Sequence, residues 1–537
     1  CWRRVLFLGV TKVGTSRKEQ NLGNSIFPMS DIKPSSFEEF ELEAERGNVV
    51  PVVRSVPTNS QTPIGALIHI TSQARYAFLL ESVEGGERTA RYSFLGAEPE
   101  MIVRGRGAQT IIESAGASKT RNVPLPEFVR EYFNSRRLAR RPDLAPLAGG
   151  AVGYFAYAAA RWFDPAFTSR AEEVSPDDAI LMFYRTVLAF DRLRRRIDIT
   201  CVVFTEEAGG SRTRLRALYE RAVGETAHIE QLLEGSAGSR SETGNTQSRI
   251  PECSSFTSNW TRDGFQDAVL RVKEHIAAGD CYQVVLSQRF SKSVTVPPLT
   301  VYQALRAINP SPYLYFLRLG EESIVGSSPE MLVRCRGPRL DYRPIAGTRQ
   351  RGATRAEDWL LTSEMRSDEK EVAEHMMLVD LGRNDLGRVA DYGSVQVGDL
   401  MNVECYSHVQ HLVSHLHARL RSDLDRFDAF GSCFPAGTVT GAPKVRAMEI
   451  ISQLEPDARG IYSGAMLYAD YSQNLDSCIA IRTIVMRNGT ASVQAGAGIV
   501  ADSVPESEYE ETINKAKALI RAIEIAENKT GRNRLPT

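Results

Sequence analysis

The sequence has few of the features that mark secreted, metal-cluster or membrane proteins. Only 8 of its 537 residues are cysteine, they are widely scattered, and no two of them form a CxxC pair. This excludes a disulfide scaffold, a zinc ribbon and an iron–sulfur motif, and it indicates a reducing, cytoplasmic compartment. No apolar run approaches the roughly 18 residues that a membrane-spanning helix needs, so we expect no membrane partner.

An excess of charge of either sign is also missing. The 65 Lys and Arg residues balance 66 Asp and Glu residues, which leaves a net charge of -1. Without a global field to attract polyanions, nucleic acid is not an expected partner. Internal repeats, a P-loop, a GxGxxG fingerprint and an HEXXH motif are absent as well. The remaining class is a large globular protein, with 42% hydrophobic residues and more length than one ordinary domain needs.

Composition divides the chain into four segments. Residues 1–30 are expected to be a disordered or non-native extension, because the chain lacks an initiator Met and Met29 resembles a natural start. Residues 36–234 form a first folded segment. Residues 235–257 are rich in Ser, Gly and polar side chains and are typical of a flexible linker. Residues 258–527 form a second folded segment.

The two folded segments share a pattern of short strands mixed with helices. Antiparallel runs alternate with long helical stretches, which favours a large α+β sandwich over a doubly wound nucleotide-binding fold. One continuous helical stretch is predicted over roughly 357–387. A second helix is predicted after residue 503, where Ser503 and Glu506 fit a capping box with Pro505 in the first turn.

Two pairs of glutamates on these helices are candidate metal ligands. Glu371 and Glu374 are three residues apart and therefore share one helix face, as do Glu508 and Glu511. A solvated acidic face and simple helix-dipole partners are the alternative interpretations. Carboxylates on two separate helices, without a thiolate, suit a hard cation such as Mg²⁺, which leaves coordination positions for water and an anionic substrate.

A histidine-rich strand offers a different chemistry. His411 and His415 are four residues apart, but a zinc site is disfavoured because HEXXH is missing. A single histidine that acts as general acid or base is the better interpretation.

Three glycine-bearing loops are candidate ligand contacts, at 344–349, 436–448 and 494–500. Each alone is typical of an ordinary turn. Together with Lys444 and Arg482 they offer backbone N–H donors and cations to a carboxylate-rich ligand.

Taken together, these segments resemble the chorismate-utilising enzymes, most closely the large subunits (component I) of anthranilate synthases. The matching motifs run in family order over about 64–520; they include LLESV, GGAVGYF, GDCYQVVLSQRF, NPSPYLYF, GSSPEMLV, PIAGTRQRG, DEKEVAEHMMLVDLGRNDLGR, HVQHLVS, GTVTGAPKVRAMEII, IAIRT and QAGAGIVADSVPESEYEET. The resemblance implies a four-layer α/β/β/α sandwich of two intertwined sub-domains. It also implies a regulatory role for the first and a chorismate-binding catalytic role for the second.

The resemblance further implies the site residues. Glu374 and Glu511 are the implied Mg²⁺ ligands, with Glu508 adjacent. Glu330 is implied as the acid beside the C4 hydroxyl of chorismate, and His411 as a second acid or base, with Thr438 on a loop that shapes the pocket. Protonation lets the hydroxyl leave as water. The implied substrate contacts are Gly347, Thr348, Lys444, Tyr462, Arg482, Gly496, Ala497 and Gly498.

Two positions distinguish the reactions within the family. Position 346 is Ala, where aminodeoxychorismate synthases carry a nucleophilic Lys. Position 283 is Gln, where isochorismate synthases carry a water-activating Lys. Without either lysine, external ammonia is the expected nucleophile, and anthranilate and pyruvate are the expected products. Aminodeoxychorismate synthase component I and a non-catalytic module that binds tryptophan or a glutaminase are the alternatives.

A partner subunit and an inhibitor are also implied. No cysteine lies in a glutaminase elbow: Cys433 lies in GSCFPAG, but no HxE follows it. We therefore expect a separate glutamine amidotransferase subunit that supplies ammonia, and hence a hetero-oligomer. The family's tryptophan feedback site corresponds here to Glu81, Ser82, Pro312, Tyr313 and Leu314. An ordinary strand and a Pro-terminated helix are the alternative interpretation of those positions.

Overall fold

The computed structural model has the predicted α+β architecture. It describes residues 31–58, 61–71, 74–82, 91–139, 141–164, 167, 177–234, 256–405 and 409–532. The predicted extension up to residue 30 and nearly all of the predicted linker lie outside the described residues. The last predicted linker residue, Thr257, begins a short strand.

The helices carry most of the candidate site residues. In chain order they are α1 (Phe37–Ala44), α2 (Pro63–Ile70), α3 (Leu125–Asn134), α4 (Arg212–Glu234), α5 (Arg262–Ala277), α6 (Pro298–Ile308), α7 (Arg355–Ser367), α8 (Glu369–Gly387), α9 (Arg426–Cys433), α10 (Lys444–Leu454) and α11 (Pro505–Arg532). Short 3₁₀ helices occur at Tyr157–Trp162, Thr205–Ala208 and Gly437–Val439.

The strands of the first half are β1 (Asp31–Lys33), β2 (Val49–Pro57), β3 (Tyr76–Glu81), β4 (Tyr92–Ala97), β5 (Met101–Arg106), β6 (Gln109–Ser114), β7 (Ala117–Arg121), β8 (Gly150–Phe155), β9 (Ala179–Tyr184), β10 (Thr186–Asp191) and β11 (Arg196–Phe204). Those of the second half are β12 (Thr257–Ser258), β13 (Gln283–Ser293), β14 (Tyr313–Leu319), β15 (Glu322–Ser328), β16 (Met331–Arg336), β17 (Arg339–Tyr342), β18 (Ile345–Gln350), β19 (Gln396–Val397), β20 (Asn402–Cys405), β21 (Val409–Val413), β22 (Leu416–Arg419), β23 (Gly441–Ala442), β24 (Ala465–Asp470), β25 (Asn474–Ile479), β26 (Thr483–Arg487) and β27 (Thr490–Ile499).

Both halves of the chain contribute to both large sheets. The 13-stranded sheet has the order β1-β2-β11-β10-β4-β3-β14-β15-β26-β27-β13-β12, with β23 paired to β13. The 11-stranded sheet has the order β19-β22-β17-β16-β25-β24-β8-β9-β5-β6-β7. In the first sheet the halves join where β3 pairs antiparallel with β14, and in the second where β8 pairs with β24. This is the intertwined arrangement that the resemblance implies.

The buried side chains on the faces of the two sheets show four layers. Phe78 on β3 faces Tyr184 on β9 with ring centroids 4.8 Å apart, and this aromatic contact belongs to the core between the sheets. The neighbouring Leu79 points the other way, into a cluster with α2, α4, α6 and α11. The outer face of the second sheet packs on α3, α8 and α9. Strand alternation therefore places one helical layer outside each sheet, and the predicted α/β/β/α sandwich is confirmed.

The long helical stretch predicted over 357–387 is two helices. Asp368 ends α7 and caps α8, with an extended backbone (ψ 109) and a side chain that accepts hydrogen bonds from the N–H groups of Lys370 and Glu371. The capping box predicted at Ser503 is also wrong by one position. Helix α11 begins at Pro505, and the Ser503 hydroxyl instead accepts from the Val500 N–H at 3.0 Å.

Five of the six described cysteines are buried, as expected for small hydrophobic residues. Cys201, Cys281, Cys335, Cys433 and Cys478 are buried free thiols, whereas Cys405 is an exposed one. Among the helices of the described residues, none has both the length and the apolar character needed to cross a bilayer.

Candidate active site

A small three-stranded sheet, β18-β21-β20, stands apart from the two large ones and carries the candidate histidine. His411 on β21 lies opposite Thr348 on β18, next to a register shift between Ala346 and Thr348. Gly347 occupies this shift with a φ of 63, a conformation that favours glycine, and its carbonyl oxygen lies 2.9 Å from His411 Nδ1. Burial lowers the pKa of His411, and the charge of Arg482 lowers it further.

Helix α8 brings the first pair of glutamates to this small sheet. Glu371 forms an ion pair with Arg349 of β18, with 2.7 Å between Oε1 and Nη1. Glu374 remains accessible to solvent, but surrounding protein partly desolvates it, and this desolvation together with the Glu371 charge raises the pKa of Glu374. Among the described residues, Glu374 has no hydrogen-bond or ion-pair partner.

Helix α11 brings the second pair. The Lys515 ammonium lies 2.7 Å from Glu511 and donates to the Gly496 carbonyl oxygen at 3.0 Å. Partial burial, followed by the Glu511 charge, raises the pKa of Glu508. The charge of Glu511 also raises the pKa of Glu374, so the two helices place their carboxylates within electrostatic reach of each other.

These carboxylates fit a hard cation that needs few protein ligands. Within the described ranges, no three His, Cys, Asp or Glu side chains group closely enough to hold a metal ion by themselves. Mg²⁺ is commonly bound through one or two carboxylates, with water and substrate oxygens in the other positions. After burial, the charges of Glu371 and Glu511 also raise the pKa of Glu374. A bound cation would relieve this repulsion among the three carboxylates.

A buried carboxyl lies within electrostatic reach of Lys515. Glu330 follows β15 and is 8% exposed. Burial raises its pKa to about 7, against smaller opposing effects of the nearby Thr438 hydroxyl and of Lys515. Thr438 lies in the 3₁₀ helix Gly437–Val439, and its buried hydroxyl lacks a partner with hydrogen-bond geometry in the described chain. A carboxyl with a pKa near 7 keeps its proton in about half of the molecules at neutral pH, so it can donate that proton.

Arg482 supplies a cation without a carboxylate partner among the described residues. Its Nη1 donates to the Lys515 carbonyl oxygen at 2.7 Å, and its backbone has a φ of 52. Burial lowers the pKa of Arg482, partly offset by Tyr462 and Glu511. A desolvated guanidinium that lacks an anionic partner is suited to a carboxylate ligand.

The glycines of β27 are closely packed against neighbouring side chains. A Cβ on Gly496 would lie 2.7 Å from the Tyr462 hydroxyl, and one on Gly498 would lie 2.6 Å from Gln283 Nε2. Ala497 between them is fully buried in the cluster beneath α5 and α10, so it can present only backbone atoms on the glycine face.

Lys444 is occupied by a protein partner. Its Nζ lies 3.0 Å from Oδ1 of Asp385 on α8, and the Asp385 side chain is almost completely buried. The structure therefore places Lys444 as a link between α10 and α8, and its predicted contact with substrate remains a prediction.

The candidate inhibitor residues are brought together at a separate place. Glu81, Ser82, Pro312, Tyr313 and Leu314 line one cavity of about 110 Å³ where β3 meets β14. Glu81 accepts hydrogen bonds from Tyr302 at 2.6 Å and from Arg306 at 2.9 Å. The cavity extends to residues of the second sheet, including Tyr468 and Asp476.

Sequence reasoning missed Lys515, although it contacts or influences several candidate residues. It bonds Glu511 and Gly496, and its charge partly opposes the burial that raises the pKa values of Glu330 and Glu374. Its spacing of four residues from Glu511 on a helix was the available signal.

Comparison with known proteins identifies relatives across almost the whole chain. The sequence model of the family described as chorismate binding enzyme matches residues 75–521. Anthranilate synthase component 1 of Acetivibrio thermocellus is 44% identical over 492 residues, which cover 91% of this chain and 98% of that protein. The protein of the same name from Aquifex aeolicus (strain VF5) is 42% identical over 503 residues, covering 92% and 98%.

Solved structures resemble the fold. The crystal structure of anthranilate synthase component I from Streptococcus pneumoniae TIGR4 aligns with a TM-score of 0.68 and 34% identity, covering 82% of this chain and 93% of that one. The menaquinone-specific isochorismate synthase of Escherichia coli aligns with a TM-score of 0.64 over 91% of this chain and 99% of that one. At 19% identity, that second similarity concerns the fold alone.

Proposed function

The chain belongs to the family of chorismate binding enzymes, and from that membership we propose that it has the activity of an anthranilate synthase component 1. It would convert chorismate and ammonia into anthranilate and pyruvate, a carbon–oxygen lyase reaction of tryptophan biosynthesis. The observation that carries the proposal is the convergence around Lys515 and Gly496 of an acid with a raised pKa, a buried cation and the carboxylates of two helices.

In this proposal each residue has a defined task. Glu330, with a pKa of about 7, donates the proton that lets the C4 hydroxyl leave as water. Arg482 binds a carboxylate of the substrate, and the lack of side chains at Gly496 and Gly498 lets Tyr462 and Gln283 lie against β27. His411, whose Nδ1 donates to the Gly347 carbonyl oxygen, exchanges a proton through Nε2, the basic nitrogen of its ring.

Magnesium is the proposed cofactor. Glu374 and Glu511 would hold it, and when bound it supplies positive charge for a substrate carboxylate. The support is the repulsion between these carboxylates and the absence of a protein partner for Glu374 among the described residues.

Ammonia is the proposed nucleophile. The internal lysine that would attack from position 346 is replaced by a buried Ala346, and position 283 is Gln. A separate glutamine amidotransferase subunit is the proposed source of ammonia, which makes the working enzyme a hetero-oligomer. The proposed location is the cytoplasm, supported by the buried free thiols.

Feedback inhibition by tryptophan is the proposed regulation. The cavity where β3 meets β14 combines aromatic side chains with the buried carboxylate of Glu81, which suits an aromatic amino acid. Both halves of the chain line it, so its occupation can affect how they pack.

The deciding experiment is a product assay with the purified chain. Chorismate, Mg²⁺ and an ammonium salt should give 2-aminobenzoate, identified by fluorescence and mass. The 4-amino-4-deoxy product would instead indicate aminodeoxychorismate synthase, and no turnover would indicate a binding module. Replacing ammonium with glutamine should stop turnover of the chain alone, whereas glutamine-dependent activity would contradict a separate amidotransferase.

A further inference from the structure

The buried arginine Arg459 lies behind the candidate active site and contacts none of its proposed reacting groups. Its side chain is 1% exposed, and it forms a two-point ion pair with Glu455, through Nε at 2.9 Å and Nη2 at 2.7 Å. Burial lowers the pKa of Arg459, but the Glu455 carboxylate outweighs it and the pKa lies above its ordinary value. The pair is therefore charged in the folded protein.

Every N–H of this guanidinium has an acceptor. In addition to the Glu455 bonds, Nη1 donates to the Val439 carbonyl oxygen at 2.7 Å and to Ser463 Oγ at 3.1 Å. Nη2 also donates to the Val285 carbonyl oxygen at 2.6 Å. A guanidinium has five N–H donors in a rigid planar fork, so all five are used, whereas a lysine has only three donors.

The acceptors belong to the segments that form the chorismate pocket. Val439 follows Thr438, the residue beside Glu330. Ser463 follows Tyr462, and the Arg459 guanidinium carbon lies 5.7 Å from the centre of the Tyr462 ring. Val285 is the strand partner of Gly498.

Glu455 ties the same arginine to a second residue of β13, two positions after Val285. Its Oε1 accepts from both the N–H and the hydroxyl of Ser287, each at 2.8 Å, and Ser287 is the strand partner of Gly496. We propose that Arg459, paired with Glu455, is a positioning residue for the reaction: it fixes Thr438, Tyr462 and the backbone beneath Gly496 and Gly498 in one arrangement. This inference rests on the proposed function.

Two variants test the assignment. Arg459→Lys keeps the charge but not the five-donor geometry. The double variant Arg459→Met with Glu455→Leu removes both charges, a replacement that buried ion pairs often tolerate without loss of stability. Displacing catalytic groups by about 1 Å costs on the order of 100-fold in rate. We therefore expect anthranilate formation at saturating chorismate and ammonium to fall about 100-fold in both variants, with thermal unfolding still cooperative.

The matched control is Arg426→Lys. Arg426 is an equally buried arginine that bonds the carbonyl oxygens of Asp470 and Asn474 in the second sheet, away from the site. The Arg426→Lys substitution should lower the melting temperature and leave kcat per folded molecule unchanged. The proposal is overturned if the double variant keeps wild-type kcat, or if Arg459→Lys loses activity only in proportion to its unfolded fraction. If wild-type chain forms no anthranilate, the proposed function itself fails, which the same assay reveals separately.

Discussion

The imidazole of His411 is oriented by the carbonyl oxygen of Gly347, 2.9 Å from Nδ1. A carbonyl oxygen can only accept, so Nδ1 carries the proton and Nε2 is the basic nitrogen of the ring, the one that can take up a proton. Burial lowers the pKa of this histidine, which keeps it neutral at pH 7.

A substitution of His411 can separate the hydrogen bond at Nδ1 from proton transfer at Nε2. His411→Asn keeps an N–H near the Nδ1 position but has nothing at Nε2. General acid–base groups contribute roughly 100- to 10,000-fold, so we expect kcat to fall at least about 100-fold with little change in the KM for chorismate. His417→Asn on β22, where the ring bonds Gln396, is the control and should remain active. Equal losses in both variants would refute the role.

Glu330 should make stability and activity depend on pH in the same interval. Its folded pKa of about 7 lies above the ordinary 4.5, so between these values the unfolded chain loses a proton that the folded chain retains. Stability therefore falls as pH rises from 4.5 to 7, by about 3 kcal/mol at 1.36 kcal/mol per pKa unit.

Glu330→Gln, which replaces the carboxyl with a neutral amide of the same shape, tests this pH dependence. Glu330→Gln should be more stable than wild type in urea unfolding at pH 8 and similar at pH 4.5, while kcat collapses at both. Wild-type kcat should decline as pH rises through 7, since the acid form is lost. A variant that is destabilised at pH 8 would show that the carboxyl is not held protonated by burial.

Glu374→Gln tests the metal proposal. The amide cannot supply the negative charge that Mg²⁺ requires, so Mg²⁺-dependent turnover should be abolished while the melting temperature stays within a few degrees. Glu369→Gln, in the exposed first turn of the same helix, is the control. Because partial desolvation raises the pKa of Glu374, the Mg²⁺ concentration needed for half-maximal activity should rise as pH falls. Mg²⁺-dependent activity in Glu374→Gln would remove the assignment.

The sequence predicts helix faces better than it predicts contacts between residues that are far apart in the chain. The spacing of Glu371 and Glu374, and of Glu508 and Glu511, placed each pair on one helix face, because helical periodicity is local. The break between α7 and α8 at Asp368 was missed, because a helix cap inside a helical pattern depends on backbone geometry that periodicity does not reveal.

Contacts between distant segments were beyond that reasoning. The pairing of Lys444 with Asp385, 59 residues apart, was not foreseen, because periodicity says nothing about contacts between distant segments. The protonated state of Glu330 likewise depends on burial between segments. Only the family resemblance pointed to Glu330, since nothing in the local pattern GSSPEMLV distinguishes it from a turn.

Filling the β3–β14 cavity should relieve inhibition by tryptophan. Ser82 lines a cavity of about 110 Å³, and Ser82→Leu would occupy part of it. We expect the tryptophan concentration for half inhibition to rise at least about tenfold, because a ligand must then displace packed side-chain volume. kcat should be unchanged, and Ser118→Leu on the exposed strand β7 is the control. Unaltered inhibition in Ser82→Leu would place the inhibitor elsewhere.

The close approach at Gly496 should not tolerate a single methyl group. A Cβ there would lie 2.7 Å from the Tyr462 hydroxyl and 2.8 Å from the Leu286 carbonyl oxygen. The hydroxyl can move, but the carbonyl belongs to a strand paired to β27 and cannot. Gly496→Ala should therefore raise the KM for chorismate at least about tenfold, and adding Tyr462→Phe should not restore it.

The matched control for Gly496→Ala is Gly224→Ala in the interior of α4, where a Cβ meets nothing within 4 Å. It should raise stability by about 1 kcal/mol through helix propensity and leave kinetics unchanged. Full restoration by Tyr462→Phe would mean that the hydroxyl alone limits the space. A wild-type KM in Gly496→Ala would mean that substrate does not approach this strand, and Arg482 would then have to bind its carboxylate from another direction.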